Sequence, residues 1–245
     1  MHRTSRVLLF DFDGTVSLGA GPAIRYAECV ADTLPARHRA HFLGAVTAQK
    51  TSSRDSLYGP LAPVRPASVR PIDDYDAVRL AASAFSVPAE TLGQAYRRSR
   101  GDLASARAPI EAVPGLPGFL AESRAHARLV LATNSPDTRI SEALAVLGLG
   151  DAFDEVITSV GKPAGLASVL EDLRSSSTAR ALRLLSIGDV WANDLQPAQL
   201  AGFQTALIGA AVPFGATPTY RAQRLDELFP VITAWLSAPA ASACS

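Results

Sequence analysis

The chain has 245 residues, 48% of them hydrophobic, which suffices for one large domain or for a core with an insertion and excludes disorder along the whole length. Its 23 basic and 23 acidic side chains cancel, so no global field draws nucleic acid or an anionic membrane, and neither is expected as a partner. The two cysteines, Cys29 and Cys244, lack metal-ligand spacing, and no apolar run approaches the ~18 residues a membrane span needs, so a soluble cytoplasmic protein with reduced thiols is expected.

In chain order, Val7 to Phe10 is a short apolar run that reads as a buried strand. It stops at Asp11-Phe12-Asp13-Gly14-Thr15, which puts two carboxylates at the strand's C-terminal end. From about Ser17 to Ala112 the chain offers helical patterns instead, near Pro22 to Leu34, Ala36 to Gln49, Asp74 to Phe85 and Pro88 to Arg107. This predicts a helical insertion. Thr51 through Pro71, between its halves, is too rich in Pro and Ser for helix and reads as a long loop.

From Val113 the rhythm becomes helix, strand, helix, strand. Leu129 to Ala132 is a predicted strand that gives way to Thr133-Asn134-Ser135. Ser135-Pro136-Asp137 reads as a helix start with Ser135 as N-cap, followed by a stripe of Ile140, Ala143, Leu144 and Leu147. After a short strand at Val156 to Thr158, Lys162-Pro163 opens a helix with Leu166, Val169, Leu170 and Leu173 on its apolar face. Leu182 to Ile187 is a strand ending in Gly188-Asp189, with Asp194 shortly after, and Thr205 to Ile208 completes the sheet. Leu225 to Trp235 predicts terminal helical packing broken at Pro230, ahead of a frayed Ala/Ser tail.

Such alternation predicts an α/β fold, a doubly wound parallel sheet with an inserted α-helical domain: a core of residues 1–16 and 113–238, helices over 17–112, and a disordered tail over 239–245. No glycine-rich fingerprint follows the first strand, so neither NAD nor a Walker-type ATP site is expected.

In open parallel sheets the ligand crevice lies beyond the carboxyl ends of the strands. If the three strands above are neighbours, Asp11, Asp13, Thr133, Asp189 and Asp194 share that crevice. Carboxylates gathered so closely repel one another unless a cation compensates, and Mg²⁺, a hard ion with oxygen ligands and retained waters, suits them. A metal-bound phosphate beside a carboxylate is set up for an aspartyl-phosphate intermediate. Lys162 supplies a positive charge and the Thr133 hydroxyl a donor to the transferring group.

Asp11-x-Asp13-Gly14-Thr15, Thr133-Asn134, Lys162-Pro163 and Gly188-Asp189 with Asp194 each have an ordinary structural reading as turns, caps or loops. Taken together and in this order, they resemble the four motifs of the haloacid-dehalogenase-like (HAD) hydrolases, most of which are phosphatases. The resemblance implies a Rossmannoid core, a C1-type helical cap over 17–112, and Mg²⁺ as cofactor. It also implies catalytic roles for Asp11, Asp13, Thr133 and Lys162. By it, Asp11 is the nucleophile, and Asp13 is the acid for the leaving alcohol and then the base for water. Asp11, the Asp13 carbonyl and Asp189 are metal ligands, Asp194 is an outer partner of the metal site, and Gly14 and Asn134 cradle phosphate.

The expected partner is a small phosphate ester, handled by a monomer or homodimer. Lys50 and Arg54 in the insertion are expected to bind a second anionic group on it, with Tyr58, Arg97, Arg98 and Arg100 as further candidates to face the crevice. A phosphosugar mutase shares all four motifs and stays open. Asp13 disfavours a dehalogenase, since a halide needs no acid, and it disfavours a phosphonatase, which Lys50 alone keeps in view. A phospho-receiver module differs in the order of its Asp, Thr and Lys, and a non-catalytic scaffold of the same fold is the remaining alternative.

Overall fold

Val7, Leu8, Leu9 and Phe10 are each at most 3% exposed, so successive side chains on both faces are covered, the mark of an interior parallel strand. They form β1 (Arg6–Phe10), followed by a two-residue strand, β2 (Ser17–Leu18). Next come α1 (Gly21–Ala31), α2 (Ala36–Asp55), α3 (Asp74–Ser83) and α4 (Ala89–Arg100), and then β3 (Glu111–Ala112), which pairs antiparallel with β2. The chain continues through α5 (Leu116–Ser123), β4 (Arg128–Ala132), α6 (Ile140–Val146), β5 (Glu155–Ile157), α7 (Ala164–Ser175) and β6 (Arg183–Gly188). It ends with α8 (Gln196–Leu200), β7 (Gln204–Ile208), β8 (Tyr220–Ala222) and α9 (Phe229–Ser237). This computed structural model describes residues 6–55, 71–177 and 182–239, with the side chains of 50–55 left out.

The chain divides into two compact units, Met1–Leu18 with Glu111–Ser245, and Gly19–Ile110. The first is built on a six-stranded sheet in the order β5-β4-β1-β6-β7-β8, every pairing of which is parallel. Phe10 lies opposite Leu131 of β4 and Ile187 of β6, so these three strands end at one level. The chain builds outward from β1 through β4 to β5 and then crosses to β6 on the other side. This reversal is the switch point at which doubly wound sheets open a crevice.

One face of the sheet is covered by α7, whose Leu166, Val169, Leu170 and Leu173 pack with Val7, Leu9, Val130, Ala132, Leu184 and Ala198. Each of the four large aliphatic side chains contributes about 2 kcal/mol by leaving water. Phe119 of α5 and Phe229 of α9 stack with ring centroids 4.2 Å apart.

The second unit is helical among its described residues, with a core of Tyr26, Val30, Phe42, Val46, Val78 and Ala95 from all four helices. Tyr26, Tyr75 and Tyr96 pack against one another, and Arg25 ties α1 to the segment after α4 through Asp102 at 2.7 Å.

Four boundaries differ from the sequence expectation. α2 runs on through Thr51-Ser52-Ser53-Arg54-Asp55, because no proline stops it before Pro60. The Pro-rich remainder of the expected loop lies outside the described residues. α4 stops at Arg100, capped by the Gly101 N–H bonding to the Arg97 and Arg98 carbonyls, rather than at Arg107. α6 begins at Ile140, not at Ser135. Pro230 does not break the last helix: it occupies the first turn of α9, where its missing N–H costs nothing. The expected tail, from 240 onward, is outside the described residues. β2, β3 and β8 are too short to show a period in sequence.

Candidate active site

The aligned ends of β1, β4 and β6 bring the sequence motifs together. The ladder continues one residue past β1, the Asp11 N–H bonding to the Ile187 carbonyl at 2.9 Å. Phe12 turns into the core, 0% exposed, so Asp11 and Asp13 flank a buried anchor. The chain then reverses tightly, with Gly14 N–H to the Ser17 carbonyl at 2.9 Å and Ser17 N–H to the Phe12 carbonyl at 2.8 Å.

Glycine is required at two points of this rim. Gly14 has φ +85°, and a Cβ there would lie 2.3 Å from Oδ2 of Asp189. A Cβ on Gly188 would lie 2.5 Å from the Cβ of Asp194. The missing methyl at Gly14 lets the β1 loop meet Asp189, and the one at Gly188 lets Asp194 fold back over the end of β6.

At the end of β4, Thr133 donates its N–H to the Ile157 carbonyl and accepts from the Ser135 N–H at 3.0 Å. Asn134 reaches the segment before α7: its Oδ1 accepts from the Lys162 N–H at 2.6 Å and its Nδ2 donates to the Lys162 carbonyl at 3.3 Å. Held this way, Lys162 sends its ammonium, on a side chain 3% exposed, to Oδ1 of Asp11 at 2.5 Å and Oδ1 of Asp194 at 2.6 Å. Asp194 is fixed from behind, Oδ2 accepting from the Val190 N–H at 3.0 Å and its carbonyl accepting from the Ser186 hydroxyl at 2.7 Å.

Charge dominates this cluster. Burial, reinforced by Asp194 and offset by Lys162, pushes Asp11 from 3.8 up to about 7. Burial works to discharge Lys162, but Asp11 and Asp194 outweigh it and hold the ammonium above its ordinary value. Burial is the larger cause at Asp11, and the crowding of carboxylates adds to it there and overrides it at Lys162. Carboxylate oxygens of Asp11, Asp189 and Asp194 all lie within 4.8 Å of one another. Hard, anionic oxygen donors at that separation, with the Lys162 ammonium beside Asp11 and Asp194, fit a Mg²⁺ ion.

Asp11, Asp13, Thr133, Asn134, Lys162, Asp189, Asp194 and Gly14 therefore all lie at the rim formed by β1, β4, β6 and the segment leading into α7. Lys50 and Arg54 lie on α2, but their side chains, like all of Tyr58, are outside the described residues. In the helical unit Arg97 is exposed, Arg98 pairs with Asp32 at 3.1 Å, and Arg100, 1% exposed, donates to the Tyr75 hydroxyl at 2.8 Å.

Sequence reasoning missed Ser135. Its hydroxyl donates to Oδ2 of Asp13 at 2.8 Å, across 122 residues of chain. The sequence had assigned that hydroxyl to capping a helix; with α6 starting five residues later, behind Arg139 at φ +60°, it is released for the rim.

No family model matches the chain, and neither does any curated protein. Solved structures do match. One is named as a HAD hydrolase from Bacillus subtilis bound to magnesium, 20% identical, covering 94% of this chain and 99% of its own, with a TM-score of 0.57. A HAD phosphatase from Thermococcus onnurineus is 20% identical over 93% of this chain and 97% of its own, at 0.53. The L-2-haloacid dehalogenase of Xanthobacter autotrophicus, with chloropropionic acid covalently bound, is 14% identical over 93% and 98%, also at 0.53. The fold is therefore that of the HAD-like hydrolases, a parallel Rossmannoid sheet with its acidic rim at the C-terminal ends of β1 and β6.

Proposed function

We propose that the protein is a Mg²⁺-dependent phosphatase that hydrolyses a small phosphorylated metabolite through a phosphorylated Asp11. The observation that carries the reading is the second carboxylate: Asp13 stands two residues beyond Asp11, its Oδ2 bound by Ser135. An alkoxide leaving group needs a proton, and a halide does not.

Asp11, Asp189 and the Asp13 carbonyl would hold Mg²⁺, with Asp194 as their outer partner; when bound, the ion neutralises charge on the phosphate oxygens. The residues themselves account for the rest. An Asp11 oxygen attacks phosphorus as the bond to the leaving oxygen breaks, and Asp13 gives that oxygen its proton, releasing the alcohol. A water then attacks the phosphorus of the aspartyl-phosphate, passing its proton to Asp13, and the bond to Asp11 breaks to free phosphate and restore both carboxyl groups. The Lys162 ammonium and the Thr133 hydroxyl donate to the phosphoryl oxygens. Asn134 serves by holding the backbone of Lys162. On this reading the helical unit recognises the leaving group, with Lys50 and Arg54 candidates to bind a second anionic group.

The test is phosphate release from a panel of sugar, nucleotide and carboxylic-acid phosphate esters, with Mg²⁺ and with EDTA. Release that needs Mg²⁺ and is lost in Asp11→Asn supports the reading, whereas metal-independent release or a fully active Asp11→Asn overturns it. A phosphosugar mutase would instead return the phosphoryl group to a sugar hydroxyl, seen as isomerised sugar phosphate without free phosphate.

A further inference from the structure

The Ser135 hydroxyl donates to Oδ2 of Asp13 at 2.8 Å, and the backbone of Ser135 is itself held on two sides. Its N–H goes to the Thr133 hydroxyl at 3.0 Å, and its carbonyl accepts the Ser159 N–H at 2.8 Å. The residue is 1% exposed, so its hydroxyl does not exchange Asp13 for water. Ser135 thereby joins the end of β4 to the turn after β1 by a 2.8 Å bond to a carboxylate. This bond restrains the Asp13 carboxyl from the end of β4, and it can do so whether Oδ2 belongs to a carboxylate or to the carbonyl of a protonated carboxyl.

We infer that Ser135 is a positioning residue, holding the Asp13 carboxyl where it can hand a proton to a departing alcohol. The inference rests on the phosphatase reading and assigns Ser135 no contact with substrate. Misplacing a general acid by a fraction of an ångström removes its contribution without removing the nucleophile, so the loss scales with how much the leaving group needs protonation.

Ser135→Ala and Ser135→Thr are compared with the full-length wild type in Mg²⁺. The substrates are an alkyl phosphate, which expels a basic alkoxide, and acetyl phosphate, which expels acetate and needs no acid. The quantity read is kcat/KM, which covers the steps up to departure of the leaving group. Ser135→Ala should lose about tenfold to a hundredfold on the alkyl ester, keep acetyl phosphate within about twofold, and be restored by Ser135→Thr. Equal losses on both substrates, no loss on either, or a threonine variant as poor as the alanine one overturns the assignment while leaving the phosphatase intact. A wild type that releases phosphate from neither compound nor from any ester of the panel above overturns the phosphatase reading and this inference with it.

Discussion

Replacing Asp11 by asparagine should make the metal-free protein more stable while destroying turnover. The folded state holds the Asp11 proton up to about pH 7, against 3.8 when the side chain is in water, chiefly because ionisation leaves a charge out of solvent and beside Asp194. The sign follows: below pH 3.8 the carboxyl is neutral in both states and costs nothing. Between 3.8 and about 7 the unfolded chain ionises first, so stability drains away as pH rises, and above about 7 the full cost is present. At about 1.4 kcal/mol per pH unit the ceiling is about 4 kcal/mol. The attraction of Lys162 is already counted in that shift and asparagine still leaves a polar group in the rim, so about 1–3 kcal/mol should be gained, or roughly 3–10 °C in melting temperature for a chain of this size. Thermal melts in EDTA should show the variant above wild type at pH 8 and the gap narrowing at pH 5. Adding Mg²⁺ should raise wild type more than the variant, since the ion stabilises in proportion to its occupancy of the native site. An Asp11→Asn protein that melts below wild type in EDTA at pH 8, or a gap independent of pH, would refute the claim that ionising Asp11 in this rim costs the fold stability.

Asn134→Ala removes both bonds to the Lys162 backbone and should cost about 1–2 kcal/mol, with kcat falling more than KM rises; a KM effect alone in steady-state assays would mean that Asn134 meets substrate directly. Leu166→Ala opens a cavity beneath β1 beside Val7 and Leu9, and chemical denaturation should report a loss of about 2–5 kcal/mol. Because Leu166 belongs to the apolar cluster under the sheet and carries no polar group to the rim, turnover per folded molecule should be unchanged.

What the sequence shows and what it hides divide along physical lines. β1 is legible because a strand covered on both faces reads as an unbroken apolar run, and α7 because its four leucine and valine positions repeat with the helical period. The motif residues are legible because each ends a strand or opens a helix, where side chains face a crevice. Ser135 and the bonds of Asn134 to Lys162 are not, because their partners, Asp13 and the Lys162 backbone, are 122 and 28 residues away, and local pattern carries no information about such bonds. The end of α2 failed for the opposite reason: Thr51, Ser52 and Ser53 are weak helix formers, but a helix already propagating passes through weak formers that would not start one.

The five-residue step from Asp189 to Asp194 shows how the backbone serves the charge cluster. Trp191–Leu195 forms a π-helical turn, one residue wider than an α-turn, with the Gln196 N–H closing on the Trp191 carbonyl. The wider loop folds Asp194 back over the end of β6, where Gly188 has no Cβ to exclude it and the Val190 N–H meets its carboxylate. Trp191 and Leu195 bury into the core with Leu207, which keeps the turn from relaxing to a regular helix that would carry the carboxylate away. A widened turn, two missing methyls and one shielded ammonium together force like charges to within 4.8 Å of each other. Apolar packing such as that of Leu195 and Leu207 does not need this arrangement, and on the proposed function a cation and a phosphate do.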